Sequence, residues 1–227
     1  MNILIFGATG MVGQAVLREC LLDPGVSRVV AIGRSAARAT PMGRLPEAGK
    51  LEDLHHIDMY DYSAIEDRLT GFDACFFCLG VSSAGMSEAA YTRVTYDLTL
   101  AAATTLARLN PQMVFTYVSG RSTDGTENGP SMWARVKGRT ENALLKLPFK
   151  AAYMFRPGVI EPMDGIKPKS RVYRAAYYLL MPCLSLVRFL WPQAALTTTR
   201  QVGRAMIAVA RTRAAKQILE VADINAL

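Results

Sequence analysis

The stretch that decides the fold is Ile3-Leu4-Ile5-Phe6-Gly7-Ala8-Thr9-Gly10-Met11-Val12-Gly13, followed by Gln14-Ala15-Val16-Leu17-Arg18-Glu19-Cys20-Leu21-Leu22. Four consecutive apolar residues read as a buried strand, three glycines at three-residue spacing as a tight turn, and the following segment as a helix with its apolar residues on one face. Glycines let main-chain N–H groups come close to an anion, and the start of a helix adds partial positive charge. No acidic side chain interrupts the turn. A pyrophosphate is therefore the group such a turn is built to hold, with Gly7, Thr9, Gly10, Met11 and Val12 as the residues around it. The spacing Gly-x-x-Gly-x-x-Gly is one residue longer after the first glycine than the commonest dinucleotide fingerprint.

Outward from this turn, strands and helices alternate. Arg28 to Ile32 reads as a second strand, entered through the Asp23-Pro24-Gly25 turn, and residues 36–53 as a long polar connection. Leu54 to Ile57 reads as a third strand ending at Asp58, Tyr62 to Leu69 as a helix, and Phe72 to Leu79 as a fourth strand closed by Gly80. Ser87 to Leu109 keeps helical spacing over about six turns, Met113 to Val118 is a fifth strand, Ser131 to Leu147 a helix, and Ala151 to Phe155 a sixth strand. The implied fold is α/β, a doubly wound parallel sheet of the Rossmann type, with residues 1–227 as one domain and 159–199 as a substrate-side or interface subregion. Ligands in such sheets bind beyond the carboxyl ends of the strands. That edge collects Gly7 to Gly13, Gly33 to Ser35, Asp58, Cys78-Leu79-Gly80, Ser119 and Pro157 to Val159.

The chain has 227 residues, about half of them hydrophobic, and a formal net charge of +7. Its basic residues are scattered and accompany no nucleic-acid-binding signature, so no nucleic acid is expected. The N-terminus runs straight into a strand, and the expected location is the cytoplasm. Cys75 and Cys78 are separated by an odd number of positions within one strand, which puts their sulfurs on opposite faces and argues for packed free thiols. His55 and His56 have no cluster of ligands around them in sequence, and no metal is expected.

A dinucleotide with a free ribose 2′-hydroxyl is usually held by an acidic residue after the second strand. Here the sequence is Ile32-Gly33-Arg34-Ser35. Arg34 is placed to meet a 2′-phosphate, with Ser35 and Arg38 to assist, which favours NADP(H) over NAD(H).

With these residues in view the chain resembles the short-chain dehydrogenase/reductase superfamily, in its atypical NmrA-like and Tat-interacting-protein-like branch of NAD(P)-binding proteins labelled epimerases. The resemblance rests on Gly7, Gly10 and Gly13, the Gly33-Arg34 pair, Asp58, Phe72 to Gly80, Ser119, Trp133 to Lys137, and Arg156-Pro157-Gly158. It implies Asp58 at the adenine edge, Cys78, Leu79, Gly80, Pro157 and Val159 along the cofactor, Lys137 on the nicotinamide ribose, and Ser119 as the substrate-side hydroxyl. Active members use a tyrosine four residues before the lysine as general acid/base, and often an asparagine in the preceding long helix. Those positions hold Trp133 and Thr95. An indole N–H donates a hydrogen bond and gives up no proton near neutral pH. Two functions follow: an oxidoreductase or epimerase with altered chemistry, its catalytic residues Ser119 and Lys137, or a non-catalytic NADPH-sensing module that regulates a protein partner. Tyr91, Tyr96 and Tyr117 are the phenols that could stand in for the missing one.

Residues 171–191 are unusually apolar, with an uncharged core of 13 residues between Arg174 and Arg188. A membrane span needs about 20. Three roles are open for the segment: a lid over a small apolar substrate, a homodimer or partner interface, or shallow contact with a membrane surface. Beyond it, Thr197 to Arg211 reads as a helix with Thr199 as its N-cap.

Overall fold

The structure, a computed structural model, describes residues 1–167 and 196–227. Seven parallel strands form one sheet: β1 (Asn2–Phe6), β2 (Arg28–Gly33), β3 (Leu51–His55), β4 (Ala74–Phe77), β5 (Val114–Val118), β6 (Ala151–Arg156) and, at the far edge, Ile218–Glu220, in spatial order β3-β2-β1-β4-β5-β6 and then the edge strand. Two short parallel strands, β7 (Val159–Glu161) and β8 (Leu196–Thr198), pair separately, so the edge strand is β9. The expected doubly wound sheet is present. Strand order reverses between β1 and β4, which opens a crevice beyond their carboxyl ends.

Alternation along the strands builds two cores. Ile3, Ile5, Val29, Ala31, Phe76 and Phe155 face the layer formed by α1 (Met11–Leu22) and the late helix Thr199–Thr212. Leu4, Phe6, Val30, Phe77, Phe115, Tyr117 and Met154 face the other layer. That layer carries α2 (Glu88–Thr92), a π-helical turn at Arg93–Asp97, α3 (Leu98–Leu109) and α4 (Met132–Leu144). The helix Thr199–Thr212 is therefore α5, and α6 is Val221–Ala226. As the odd spacing required, Cys75 lies in the second core while Cys78 packs against the first.

Several elements differ from the sequence expectation. The third strand is Leu51–His55 rather than 54–57, and the connection before it holds three 3-10 helices. Residues Ser63–Leu69 form a 3-10 rather than an α-helix. The long helix is broken into α2, the π turn and α3, while β7, β8, β9 and α6 had no counterpart in the sequence reading. The cap of α5 is Thr198, whose hydroxyl accepts from the Gln201 amide at 3.0 Å; Thr199 turns inward and accepts from the Met163 amide at 2.9 Å. The apolar segment 171–191, and with it most of the expected 159–199 subregion, lies outside the described residues. Among the described residues no helix is long and apolar enough to cross a membrane.

Candidate functional site

The glycine turn is set by close approach. Gly7 has φ +79°, and a β-carbon there would lie 2.8 Å from the carbonyl carbon of Cys78. A β-carbon at Gly13 would sit 2.0 Å from the Gly7 carbonyl oxygen. Only glycine lets α1 start this close to the end of β1. The Gly10 amide donates to Gly7 O at 2.9 Å, and Gln14 Nε2 donates to Thr9 O at 3.1 Å, so the turn is fixed from both sides. Gly10 is the N-cap and supplies no side chain, and the first turn of α1 holds no acidic residue. The amides of Met11, Val12 and Gly13 have no preceding helical carbonyl to bond and point out of the helix start. This is an anion cradle made of main chain, and it fits a pyrophosphate.

Beside it opens a cavity of about 170 Å³, lined by Gly7, Ala8, Thr9, Ala31, Ile32, Gly33, Arg34, Ser35 and Leu79. None of these nine residues is acidic. The β3 carboxylate paired with Ala31 of this wall, Asp53, is already engaged: it accepts from the Ala37 amide at 2.6 Å and the Arg38 amide at 3.1 Å. This clamp fixes the segment that follows Arg34 and Ser35. Arg38 is turned away, its guanidinium donating to the Leu51 carbonyl, and does not assist Arg34.

Of the residues expected to hold a cofactor, Gly7, Thr9, Arg34, Ser35 and Leu79 come together in this wall. Cys78 contributes main chain packed against Gly7, its amide donating to Phe6 O at 2.9 Å. Gly80 is exposed in the loop beyond. Asp58 is not among the residues lining this cavity: it is exposed, lies three residues past the end of β3, and accepts from the Tyr60 amide at 2.9 Å. Pro157 and Val159 lie at the ends of β6 and β7, where Pro157 O accepts from the Arg121 amide at 3.1 Å. Ala8, Ala31, Ile32 and Gly33 complete the wall; Ala31 and Ile32, near the end of β2, are the two that the sequence expectation did not place at the ligand edge, though the rule that ligands sit by strand ends could have found them.

The second half of the site is at the end of β5. Lys137 Nζ donates to Val118 O at 3.2 Å and Ser119 O at 3.1 Å and lies 5.3 Å from the Tyr117 ring centre. Burial lowers its ammonium to about 8, with the Glu141 carboxylate opposing that shift. The Ser119 hydroxyl bonds the Thr123 hydroxyl at 2.9 Å. Trp133 stands one helical turn before Lys137, its ring carbon Cζ3 3.7 Å from the place of a Gly120 β-carbon. Below them Glu141 is buried and held by Arg156, whose Nε donates at 3.0 Å, and Arg156 reaches Glu220 at 3.3 Å.

Two of the three tyrosines are closed off from the role of the missing phenol. Tyr117 is closed within the second core, its hydroxyl on Thr140, and burial pushes its phenol well above the usual range. Tyr91 is buried, raised by desolvation and bonded to Thr95. Tyr96 is covered by the Arg139 guanidinium at 4.2 Å.

Residues 3–138 match the model of the NAD dependent epimerase/dehydratase family. The chain belongs to that family. Its relatives include the protein fmp52, mitochondrial, of Emericella nidulans, 30% identical over 162 residues, which covers 70% of this chain and 66% of the relative. Protein HTATIP2 of Rattus norvegicus is 28% identical over 159 residues, covering 70% and 62%. The match thus spans just under two thirds of these curated relatives. They place this member of the NAD dependent epimerase/dehydratase family in the atypical short-chain dehydrogenase/reductase branch. An oxidoreductase of the short chain dehydrogenase/reductase family from Burkholderia thailandensis shares the fold at a TM-score of 0.68 with 18% identity, covering 99% of this chain and 92% of that one. MoeE5, solved with UDP-glucose and NAD, gives 0.67 with 19% identity, covering 97% and 75%. A nicotinamide dinucleotide is the ligand of the family, and the glycine cradle of this epimerase/dehydratase member fits it.

Proposed function

We propose that this protein binds NADP(H) in preference to NAD(H) and is an oxidoreductase with altered acid/base chemistry. The observation that carries the cofactor preference is the charge of the cavity wall: it contains Arg34 and Ser35 and no carboxylate, while Asp53 is committed to main-chain amides. A ribose 2′-phosphate meets a guanidinium there, and a free 2′-hydroxyl finds no carboxylate to accept from it.

In this reading the amides of Met11, Val12 and Gly13 hold the pyrophosphate, Arg34 and Ser35 hold the 2′-phosphate, and Leu79 covers the adenosine. Lys137 uses two of its three N–H bonds on Val118 and Ser119, which leaves one for a ribose hydroxyl. Ser119 orients the substrate oxygen. When bound, the reduced nicotinamide supplies hydride.

Calorimetric titration with NADPH, NADP⁺ and NADH tests the reading. NADPH binds more tightly than NADH, and Arg34→Ala weakens NADPH roughly 10- to 100-fold, the worth of charge-assisted bonds of about 1.5–3 kcal/mol, with NADH unchanged. Equal loss for both cofactors refutes the role given to Arg34. A second reading, an NADPH-responsive module that regulates a partner, is favoured by Trp133 at the position of the acid. NADPH consumption that Lys137→Met abolishes rules it out.

A further inference from the structure

The chain that leaves β5 turns back at once. The Thr123 amide donates to Gly120 O at 3.2 Å, and Ser122 takes a left-handed φ of +67° within the turn. This brings the Thr123 hydroxyl to 2.7 Å from the same Gly120 oxygen and to 2.9 Å from the Ser119 hydroxyl. Both side chains are buried. The main chain of Ser119 is held as well, its amide donating to Phe155 O at 2.8 Å and its carbonyl accepting from Lys137 Nζ at 3.1 Å.

These distances fix where the hydrogens lie. A carbonyl oxygen carries none, so Thr123 must be the donor in its 2.7 Å bond to Gly120 O. A threonine has a single hydroxyl hydrogen, and it is used there. The hydrogen between Ser119 and Thr123 therefore comes from Ser119. The opposite choice would leave two oxygens 2.7 Å apart facing each other with lone pairs only. The bonds run one way, from Ser119 to Thr123 to Gly120 O, and what the Ser119 hydroxyl still offers a ligand is a lone pair.

A lone pair distinguishes an alcohol from a carbonyl compound. An alcohol donates its own hydrogen to Ser119 and extends the run of bonds head to tail, each polarising the next. A ketone or aldehyde oxygen has only lone pairs of its own. To meet it, Ser119 must withdraw its hydrogen from Thr123 and leave the Thr123 oxygen one bond short. The difference is one neutral hydrogen bond of about 1 kcal/mol, or about fivefold in affinity.

We infer that Thr123 is a positioning residue that holds Ser119 as a hydrogen-bond acceptor, so that the site binds the alcohol form of its substrate in preference to the carbonyl form. The inference rests on the reading of Ser119 as the substrate-side hydroxyl.

Two measurements test it. Neutron diffraction from crystals of the protein exchanged into D2O locates the hydroxyl deuterium atoms directly. One is expected on Ser119 Oγ, pointing at Thr123, and one on Thr123 Oγ1, pointing at Gly120 O. A deuterium on Thr123 that points at Ser119, or one on Ser119 that points elsewhere, overturns the inference and leaves the role of Ser119 standing. In the second measurement the protein saturated with NADP⁺ is titrated calorimetrically with 1-phenylethanol and with acetophenone, which share one carbon skeleton. The alcohol should bind about fivefold more tightly. Thr123→Val, of nearly the same shape, should remove that advantage by releasing the Ser119 hydrogen, and Thr123→Ser should restore it, with NADP⁺ binding the same in all three. Equal or tighter binding of acetophenone by the wild type, or an unchanged ratio in Thr123→Val, overturns the inference. Binding of neither probe, with NADP⁺ bound, overturns the placing of Ser119 at the substrate and the inference with it.

Discussion

Substituting Gly13 with alanine tests the close approach on which the whole cradle depends. The new β-carbon would lie 2.0 Å from Gly7 O, 2.7 Å from Gly7 C and 2.9 Å from Ala8 Cα. All three are main-chain atoms, so no side chain can swing away. Restoring an ordinary contact of roughly 3.4 Å requires α1 to move back by about 1.4 Å, from 3.4 minus the observed 2.0 Å. The Gly10 amide then leaves Gly7 O, now 2.9 Å away, and the amides of the first turn retreat from the anion site. Overpacking of this kind costs about 1–3 kcal/mol, and the lost hydrogen bond about 1 more. Alanine's better helix propensity returns about 1 kcal/mol. The expected net loss is about 1–3 kcal/mol, read as a lower midpoint in urea unfolding, together with loss of nicotinamide dinucleotide binding by calorimetry. Gly49→Ala is the control: that glycine is exposed in a 3-10 helix, its β-carbon would meet nothing within 4 Å, and the change should be neutral or stabilising by about 0.5 kcal/mol. A Gly13→Ala protein that gains stability like the Gly49→Ala control, or that binds NADPH normally, refutes the packing argument.

Other perturbations probe separate parts of the site. Arg156→Met strands the buried Glu141 carboxylate and should cost about 3 kcal/mol in urea unfolding, whereas Glu141→Leu/Arg156→Met together should recover most of that loss. Lys137 has an ammonium lowered from 10.5 to about 8 in the folded protein. Between pH 8 and 10 the unfolded chain keeps this proton while the folded one has lost it, so Lys137 makes stability rise with pH in that window. The unfolding free energy of the wild type minus that of Lys137→Met should therefore increase by roughly 1 kcal/mol from pH 8 to pH 9, and a flat difference would refute the burial of the ammonium. Asp53→Ala releases the Ala37 and Arg38 amides and loosens the segment after Arg34; NADPH affinity should fall several-fold with NADH affinity unchanged, and Asp53→Asn should restore part of it.

The sequence revealed the sheet wherever strands are buried on both faces. Ile3 to Phe6 and Val29 to Ile32 are continuous apolar runs because α1 and α5 cover one side and α3 and α4 the other. Edge strands follow a different rule. β3 reads Leu-Glu-Asp-Leu-His, and its charges are useful there: Glu52 bridges Arg28 and Arg68, and Asp53 clamps the neighbouring loop. Charge on an open edge suppresses unwanted pairing and also hides the strand from a hydrophobicity pattern. The apparent strand at 54–57 was its last two residues plus His56 and an exposed Ile57. With β3 ending at His55, Asp58 falls in the turn beyond it, where it accepts from the Tyr60 amide. β7, β8 and β9 have three residues each, too few for any period to register.

The glycine cradle was legible because its requirement is steric and local: Gly7 and Gly13 cannot carry a β-carbon, and sequence records that directly. The proposed preference for a 2′-phosphate was legible only in part, since Arg34 is visible in sequence while the engagement of Asp53 and Arg38 is a matter of pairing across β2 and β3. The chemistry at the end of β5 was the least legible. Ser119 and Lys137 look like a catalytic pair, yet Lys137 also ties α4 to β5 through two main-chain carbonyls, a structural task that would keep a lysine there without any turnover. The presence of these two residues therefore does not decide between enzyme and sensor. Trp133 bears on it more directly, because the indole stands where active members of the family carry the phenol that gives up the proton. If Trp133→Tyr creates aldehyde reduction in an otherwise unchanged protein, the remaining machinery was competent all along and the indole is what held turnover back.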